Sequence, residues 1–166
     1  MRKRGASGPD PERARDPQAA RGAGVKLLAR RDYASGELRA KLEGQGYAPE
    51  AVASALAELT ETRALDDARY AANFVSYHAS RGQGPVRIAR ELRECGIPAG
   101  LIDETLAAGP DFLALARELR GRRFGPAAPH TWVEKARQAR FLQYRGFSSD
   151  HIRAALGADF DRDDEA

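Results

Sequence analysis

Large apolar residues recur along this chain at one fixed interval. Leu42, Leu92 and Leu142 stand 50 residues apart, and so do Gly46, Gly96 and Gly146. Each glycine is followed by a large apolar residue: Tyr47, Ile97 or Phe147. Val52, Ile102 and Ile152 come next in register, then Leu56, Leu106 and Leu156. Leu38 and Ile88 extend the pattern, which Gln138 breaks; Leu65 with Leu115 and Phe74 with Phe124 match as well. A period of this length marks repeated supersecondary units rather than one irregular domain.

The spacing inside each unit predicts helices. Leu38 and Leu42, or Ile88 and Leu92, lie at i and i+4 on one helical face. The glycines then fall where a helix closes in a left-handed cap, a conformation open to a residue without Cβ. Pro49 and Pro98 fit first-turn positions of the next helix and Ser148 an N-cap. Thr131 through Glu134 has the form of a capping box. A further helix precedes each pair, expected at 25–33, at 66–80 from Asp66-Asp67, and at 111–123 from Asp111. The expected fold is all-α: nine helices in three tandem three-helix repeats, elongated and curved. The repeats are assigned to 25–62, 63–108 and 109–157, between a disordered basic tail (1–24) and a disordered acidic tail (158–166). The longest connection, Gly121 to His130, contains Pro126 and Pro129 and is the expected flexible joint.

Composition narrows the fold class in the same direction. Leu, Ile, Val and Phe make up 18% of the 166 residues, thin for one large core. Val, Ile and Thr number only 13, which excludes a sheet-rich protein, whereas the 32 alanines favour helix. A single cysteine, Cys95, excludes an internal disulfide and a thiolate metal cage. No apolar run approaches the ~20 residues that span a bilayer, and no secretory signal is recognisable. A soluble, cytoplasmic protein with no membrane partner is expected.

The net charge of +3 conceals an asymmetry. Residues 111–157 carry +5 and residues 158–166 carry −4. On a helical wheel with Ile88 at zero, Arg93, Arg90 and Arg87 fall at about 140°, 200° and 260°, opposite the core pair. The equivalent positions one period later are Arg137, Arg140 and Gln143; one period earlier they are Glu37, Ala40 and Glu43. A basic stripe echoed in two repeats points to an anionic partner, either nucleic-acid phosphate or an acidic protein surface, bound in a salt-dependent way.

Residues for catalysis are not found. His78, His130 and His151 show no metal-ligand spacing. Gly82-Gln83-Gly84 precedes a helix, but no strand leads in and no Gly-Lys-Ser/Thr follows, so a phosphate loop is not expected. Asp66-Asp67 fits a pair of helix caps better than acid–base machinery. Neither an enzyme nor a cofactor or metal is expected. A helix-turn-helix reader of the major groove is also disfavoured. The helices after Gly46 and Gly96 carry Glu50, Glu58, Glu61, Asp103 and Glu104 and no base.

Several stretches resemble the RecX family, regulatory partners of the recombinase RecA. They are Arg31-Asp32-Tyr33-Ala34-Ser35-Gly36-Glu37-Leu38 with Lys41-Leu42, Leu65-Asp66-Asp67-Ala68-Arg69-Tyr70-Ala71, and Arg81-Gly82-Gln83-Gly84-Pro85-Val86-Arg87-Ile88. Glu91-Leu92, Gly96-Ile97, and Arg140 through Ser148 continue the match. The resemblance covers about residues 27–108 and 131–157. It implies three tandem three-helix repeats, in agreement with the period. It also implies a non-enzymatic protein that binds the RecA–DNA filament and restrains filament growth, strand exchange and co-protease activity. That would modulate DNA repair and the SOS response. DNA, single- or double-stranded, is an implied second partner, and the protein is expected as a monomer.

The family supplies no catalytic residues, so the candidate anion-, filament- and DNA-binding residues rest on the charge pattern. They are Arg87, Arg90, Arg93, Arg137, Arg140 and Arg145. The acidic tail is expected to compete with DNA for the basic third repeat. Two alternatives stay open: a general DNA-binding helical protein that acts without RecA, and a helical scaffold for protein partners alone.

Overall fold

The computed structural model describes residues 8–157; both chain ends, including the acidic segment 158–166, lie outside the described residues. The fold is all-α. The elements are α1 (Pro11–Ala14), α2 (Pro17–Leu28), α3 (Ser35–Gly44), α4 (Pro49–Glu61), α5 (Asp67–Ser80) and α6 (Pro85–Glu94). They continue with α7 (Ala99–Ala107), α8 (Phe112–Phe124), α9 (Trp132–Arg145) and α10 (Ser149–Leu156). Beyond the short α1, α2 to α10 make three successive sets of three. No helix among the described residues is long and apolar enough to cross a membrane. The chain gathers into two compact units, one of residues up to Tyr70 with Cys95–Ile97, the other of Ala71–Glu94 with the residues from Pro98 onward.

In the first unit, Leu38 and Leu42 of α3 and Val52, Leu56 and Leu59 of α4 form the buried core with Tyr33 and Leu65. Helix α2 closes it, and here the structure corrects the expected tail. Residues 17–24 are helical, with Asp16 accepting from the Gln18 N–H as N-cap, and Ala20 is fully buried. The reason is the size of the side chains. Ala20 packs with Ala51 and Ala55 of α4, and a Cβ at Gly24 would stand 3.0 Å from Leu59 Cδ1. Two helices with small residues at their contact approach closely and gain contact without any large apolar side chain. The first helix therefore spans 17–28 rather than 25–33, and Tyr33 belongs to the connection that follows.

The start of α3 shows a second departure. Asp66 caps its own helix through the Arg69 N–H (2.9 Å), as expected. Asp67 instead accepts from both the backbone N–H and the hydroxyl of Ser35, at 2.7 and 2.6 Å. It satisfies a free donor at the N-terminus of α3.

In the second unit, Ile88 and Leu92 of α6, Ile102 of α7, Ala116 of α8 and Leu142 of α9 are buried, as are Phe112, Phe147 and Leu156. Gln138, the break in the repeat, is buried too, and α8 supplies its partner. The buried Arg120 donates to Gln138 Oε1 (3.3 Å) and to the carbonyls of Ala127 (2.9 Å) and Pro126 (3.1 Å). The segment expected to be a flexible joint is thereby tied to the interior of its own unit.

Candidate anion-binding surface

Helix α6 is amphipathic along its whole length. Pro85 opens it, where a missing N–H costs nothing, and Ile88, Ala89 and Leu92 face inward. Arg90 and Arg93 are exposed and Arg87 is half-buried. Two carboxylates sit among these cations. Arg87 Nε donates to Glu91 Oε1 at 2.8 Å, and this bond holds the guanidinium above its ordinary pKa. Arg90 and Glu94 stand 3.7 Å apart, both largely exposed. An exposed i,i+4 pair such as Arg90–Glu94 is worth about 0.3–0.5 kcal/mol, so an incoming phosphate displaces it readily. Arg93 has no carboxylate partner among the described residues.

The end of α9 meets the start of α6. The Gly84 N–H donates to the Arg145 carbonyl (2.8 Å) and the Val86 N–H to the Gly146 carbonyl (3.0 Å). Donors left free at the N-terminus of one helix are satisfied by acceptors left free at the C-terminus of another. The approach is so close that only glycine fits. A Cβ on Gly84 would stand 2.4 Å from the Gly146 carbonyl, and one on Gly146 would stand 2.3 Å from Arg87 Cβ. Gly146 has φ +90°, and Gly96 and Gly46, one and two periods earlier in the repeat, have +83° and +98°, the left-handed caps that the spacing predicts.

This junction builds the candidate site within the second unit. Arg87, Arg90 and Arg93 line an open cleft of about 780 Å³ together with Gln143, Tyr144 and Gly146. Arg137 and Arg140 line a second, adjoining depression with Arg123 and Trp132, and Tyr144 borders both. Arg137 lies over the Phe124 ring, 5.6 Å from its centroid, and Phe124 meets Phe141 edge to face at 5.4 Å. The sixth candidate stands apart. Arg145 is half-buried, donates to the Arg81 carbonyl (3.4 Å) and lies over Phe141, and it lines neither depression.

Sequence reasoning passed over three residues here: Arg123, Trp132 and Tyr144. Trp132 and Tyr144 are 72% and 80% exposed. A signal was available, because Val133 and Tyr144 fall at about 180° and 200° from the buried Leu142 on the α9 wheel. Apolar residues on the outward face of an amphipathic helix are out of pattern. The carboxylate near the start of α9 is already engaged. Glu134 accepts from the N–H groups of Thr131 and His130, which holds its carboxyl below the usual range, and completes the expected capping box with Thr131.

Comparison with known proteins places these elements in a family. Models of the first, second and third three-helix domains of RecX match residues 20–59, 66–106 and 110–156. The regulatory protein RecX of Halorhodospira halophila is 49% identical over 149 residues, covering 89% of this chain and 92% of that one. The regulatory protein RecX of Pseudomonas savastanoi pv. phaseolicola is 42% identical, covering 84% and 91%, and that of Vibrio vulnificus 38%, covering 80% and 87%. Among solved structures, the crystal structure of RecX from Lactobacillus salivarius superposes with a TM-score of 0.75 at 18% identity, covering 85% of this chain and 94% of that one. A second crystal structure, of a regulatory protein RecX, gives 0.69 at 24% identity, covering 82% and 70%. At these identities the two structures speak for the shared all-helical fold.

Proposed function

The chain belongs to the RecX family, and from that membership we propose that it is a non-enzymatic, monomeric, cytoplasmic regulator of RecA. It binds the RecA–DNA filament and inhibits filament extension, recombinase and co-protease activity, and so tempers DNA repair and the SOS response. The observation that carries this reading is the arginine-lined cleft at the α6–α9 junction. There Arg87, Arg90 and Arg93 stand beside Tyr144 on a rigid helix-to-helix contact. Residues fixed on helices present their charges in a constant geometry, which suits a partner with regularly spaced anions.

One observation favours a second reading. Arg123 and Arg140 have no carboxylate partner among the described residues, so the third repeat is suited to bind DNA directly, without RecA. The test is RecA ATPase and strand exchange on single-stranded DNA, with and without this protein, at two salt concentrations. Filament regulation predicts inhibition at protein levels well below those that coat naked DNA, weakening as salt rises. Tight binding to naked DNA with RecA activity unchanged contradicts it and favours the second reading.

A further inference from the structure

We propose that the outward face of α9 is a base-stacking strip for single-stranded nucleic acid. Trp132 and Tyr144 act as its platforms, and Arg123, Arg137 and Arg140 hold the phosphates between them. The proposal deepens the reading that this basic face meets DNA, and rests on it for the choice of partner. It begins with an anomaly of burial. Six large hydrophobic residues are exposed among the described residues, and three of them, Trp132, Val133 and Tyr144, lie on this one helix at 71–80% exposure. Burial in a core explains none of them, because α9 turns Gln138 and Leu142 inward.

Their spacing is regular. Trp132, Ala136, Arg140 and Tyr144 follow at i+4 intervals in a row that winds about 120° around the helix and lines one depression, and Val133, Arg137 and Phe141 run beside them. The twelve-residue step from Trp132 to Tyr144 rises about 18 Å along the helix axis, the length of about five stacked nucleotides at ~3.4 Å each. Ala136 keeps the surface between the rings low. Arg137 and Arg140 project from the same stretch, and Arg123 adds a third cation from α8. None of the three has a carboxylate partner among the described residues. The nearest acid on the helix, Glu134, is engaged by backbone donors of its own cap.

The chemistry selects the partner. Arginines of one sign interleaved with exposed aromatic rings are what a single strand requires: charge for the backbone, and a π-face for each unstacked base. In a duplex the base faces are covered by neighbouring pairs, so the two rings would have nothing to stack on. A protein partner would have to bring an acidic surface matched to three unpaired arginines while also filling two separate aromatic sites. The strip is therefore expected to prefer single strands without sequence preference.

Trp132 is the only tryptophan of the chain, so its fluorescence reports on the strip directly. The full-length protein is titrated with a (dT)20 oligonucleotide, with a 20-base-pair duplex, and with RecA free of DNA. Saturable quenching by (dT)20, much weaker quenching by the duplex, and none by RecA is the expected result. Tyr144→Ala, read by the same quenching, and Trp132→Ala, read by fluorescence anisotropy of a labelled (dT)20, should each weaken single-strand binding about 5- to 100-fold. Duplex binding should stay within twofold, and the far-UV circular dichroism should not change. Absence of quenching by (dT)20 overturns the proposal, as does an equal loss of single-strand and duplex affinity. Quenching by RecA alone would assign the strip to a protein partner. These titrations with DNA contain no RecA, so they fail or succeed independently of the ATPase test of filament regulation.

Discussion

Gly84→Ala isolates the contact that builds the arginine cleft. At an open helical glycine, alanine is stabilising by about 1 kcal/mol, because it narrows the unfolded ensemble and favours helix. Gly121, inside α8 with nothing within 4 Å of an added Cβ, is such a position. At Gly84 the same methyl would stand 2.4 Å from the carbonyl carbon and oxygen of Gly146 and from the Phe147 nitrogen. These are backbone atoms, so no side chain can rotate out of the way, and the end of α9 must retreat by more than about 1 Å to restore ordinary contact. That retreat breaks the Gly84 to Arg145 and Val86 to Gly146 hydrogen bonds, each worth about 1 kcal/mol. It also loosens Phe147, which is 3% exposed. The expected loss is about 2–4 kcal/mol, or on the order of 10–20 °C in Tm for a unit of this size. Urea unfolding followed at 222 nm measures it, with Gly121→Ala as the control that should gain stability. RecA inhibition by Gly84→Ala should weaken as well, since Arg87 and Tyr144 no longer share one cleft. A Gly84→Ala protein as stable as the parent would refute the claim that this backbone contact sets the junction.

Arg120→Ala should cost about 1–3 kcal/mol, because it leaves the buried Gln138 without its partner and releases the part-buried carbonyls of Ala127 and Pro126. Arg120→Lys should restore little of it, since an ammonium cannot reproduce the fork; chemical denaturation of both variants checks this. Glu134→Gln tests the α9 cap as a function of pH. The carboxyl is held below its ordinary value of 4.5 by the backbone hydrogen bonds of Thr131 and His130. The stability it lends is therefore complete above about pH 4.5 and lost as pH falls through the lowered folded value. The parent should unfold at higher temperature than Glu134→Gln at pH 7, and the gap should close as pH falls through the lowered folded value; a gap that does not depend on pH in the acid range counts against an ionic cap. Tyr70 donates to Cys95 Sγ at 3.7 Å, and its phenol is pushed well above its ordinary value, first by burial and then by that hydrogen bond. A raised phenol stabilises the fold fully below pH 10 and ceases to do so as pH rises through the folded value. Tyr70→Phe should accordingly flatten the loss of stability in alkaline titrations.

How much of this was legible before folding depended on the kind of contact. Leu38, Leu42, Ile88, Leu92 and Leu142 are fully buried, and the repeated glycines take left-handed φ. Both follow from local geometry written into the spacing. Helix α2 was missed because its contact is made by Ala20 and Gly24, which carry almost no apolar area and so leave no hydrophobic pattern. Asp67 looked like a cap for its own helix; that it serves Ser35, 32 residues away, is set by tertiary packing. Gly84 read as an ordinary helix start for the same reason, since its partner Gly146 lies 62 residues on.

The arginine stripe of α6 was visible on the wheel, but its charge was overstated. Glu91 and Glu94 follow Arg87 and Arg90 at i+4 and reduce their field. Arg145 differs from the other candidates in its setting, being half-buried and donating to the Arg81 carbonyl. Val133 and Tyr144 were readable as violations of the α9 pattern; Trp132, about 80° from Leu142 on the wheel, was not, and only its exposure makes it conspicuous.

Charge reversal in the α6 cleft asks whether its arginines hold the filament. RecA ATPase on single-stranded DNA is measured with the parent protein and with the Arg87→Glu, Arg90→Glu, Arg93→Glu variant, after circular dichroism shows equal helicity. Inhibition by the parent, falling steeply with salt, and its abolition in the variant is the predicted result. Undiminished inhibition by a correctly folded triple variant would contradict it.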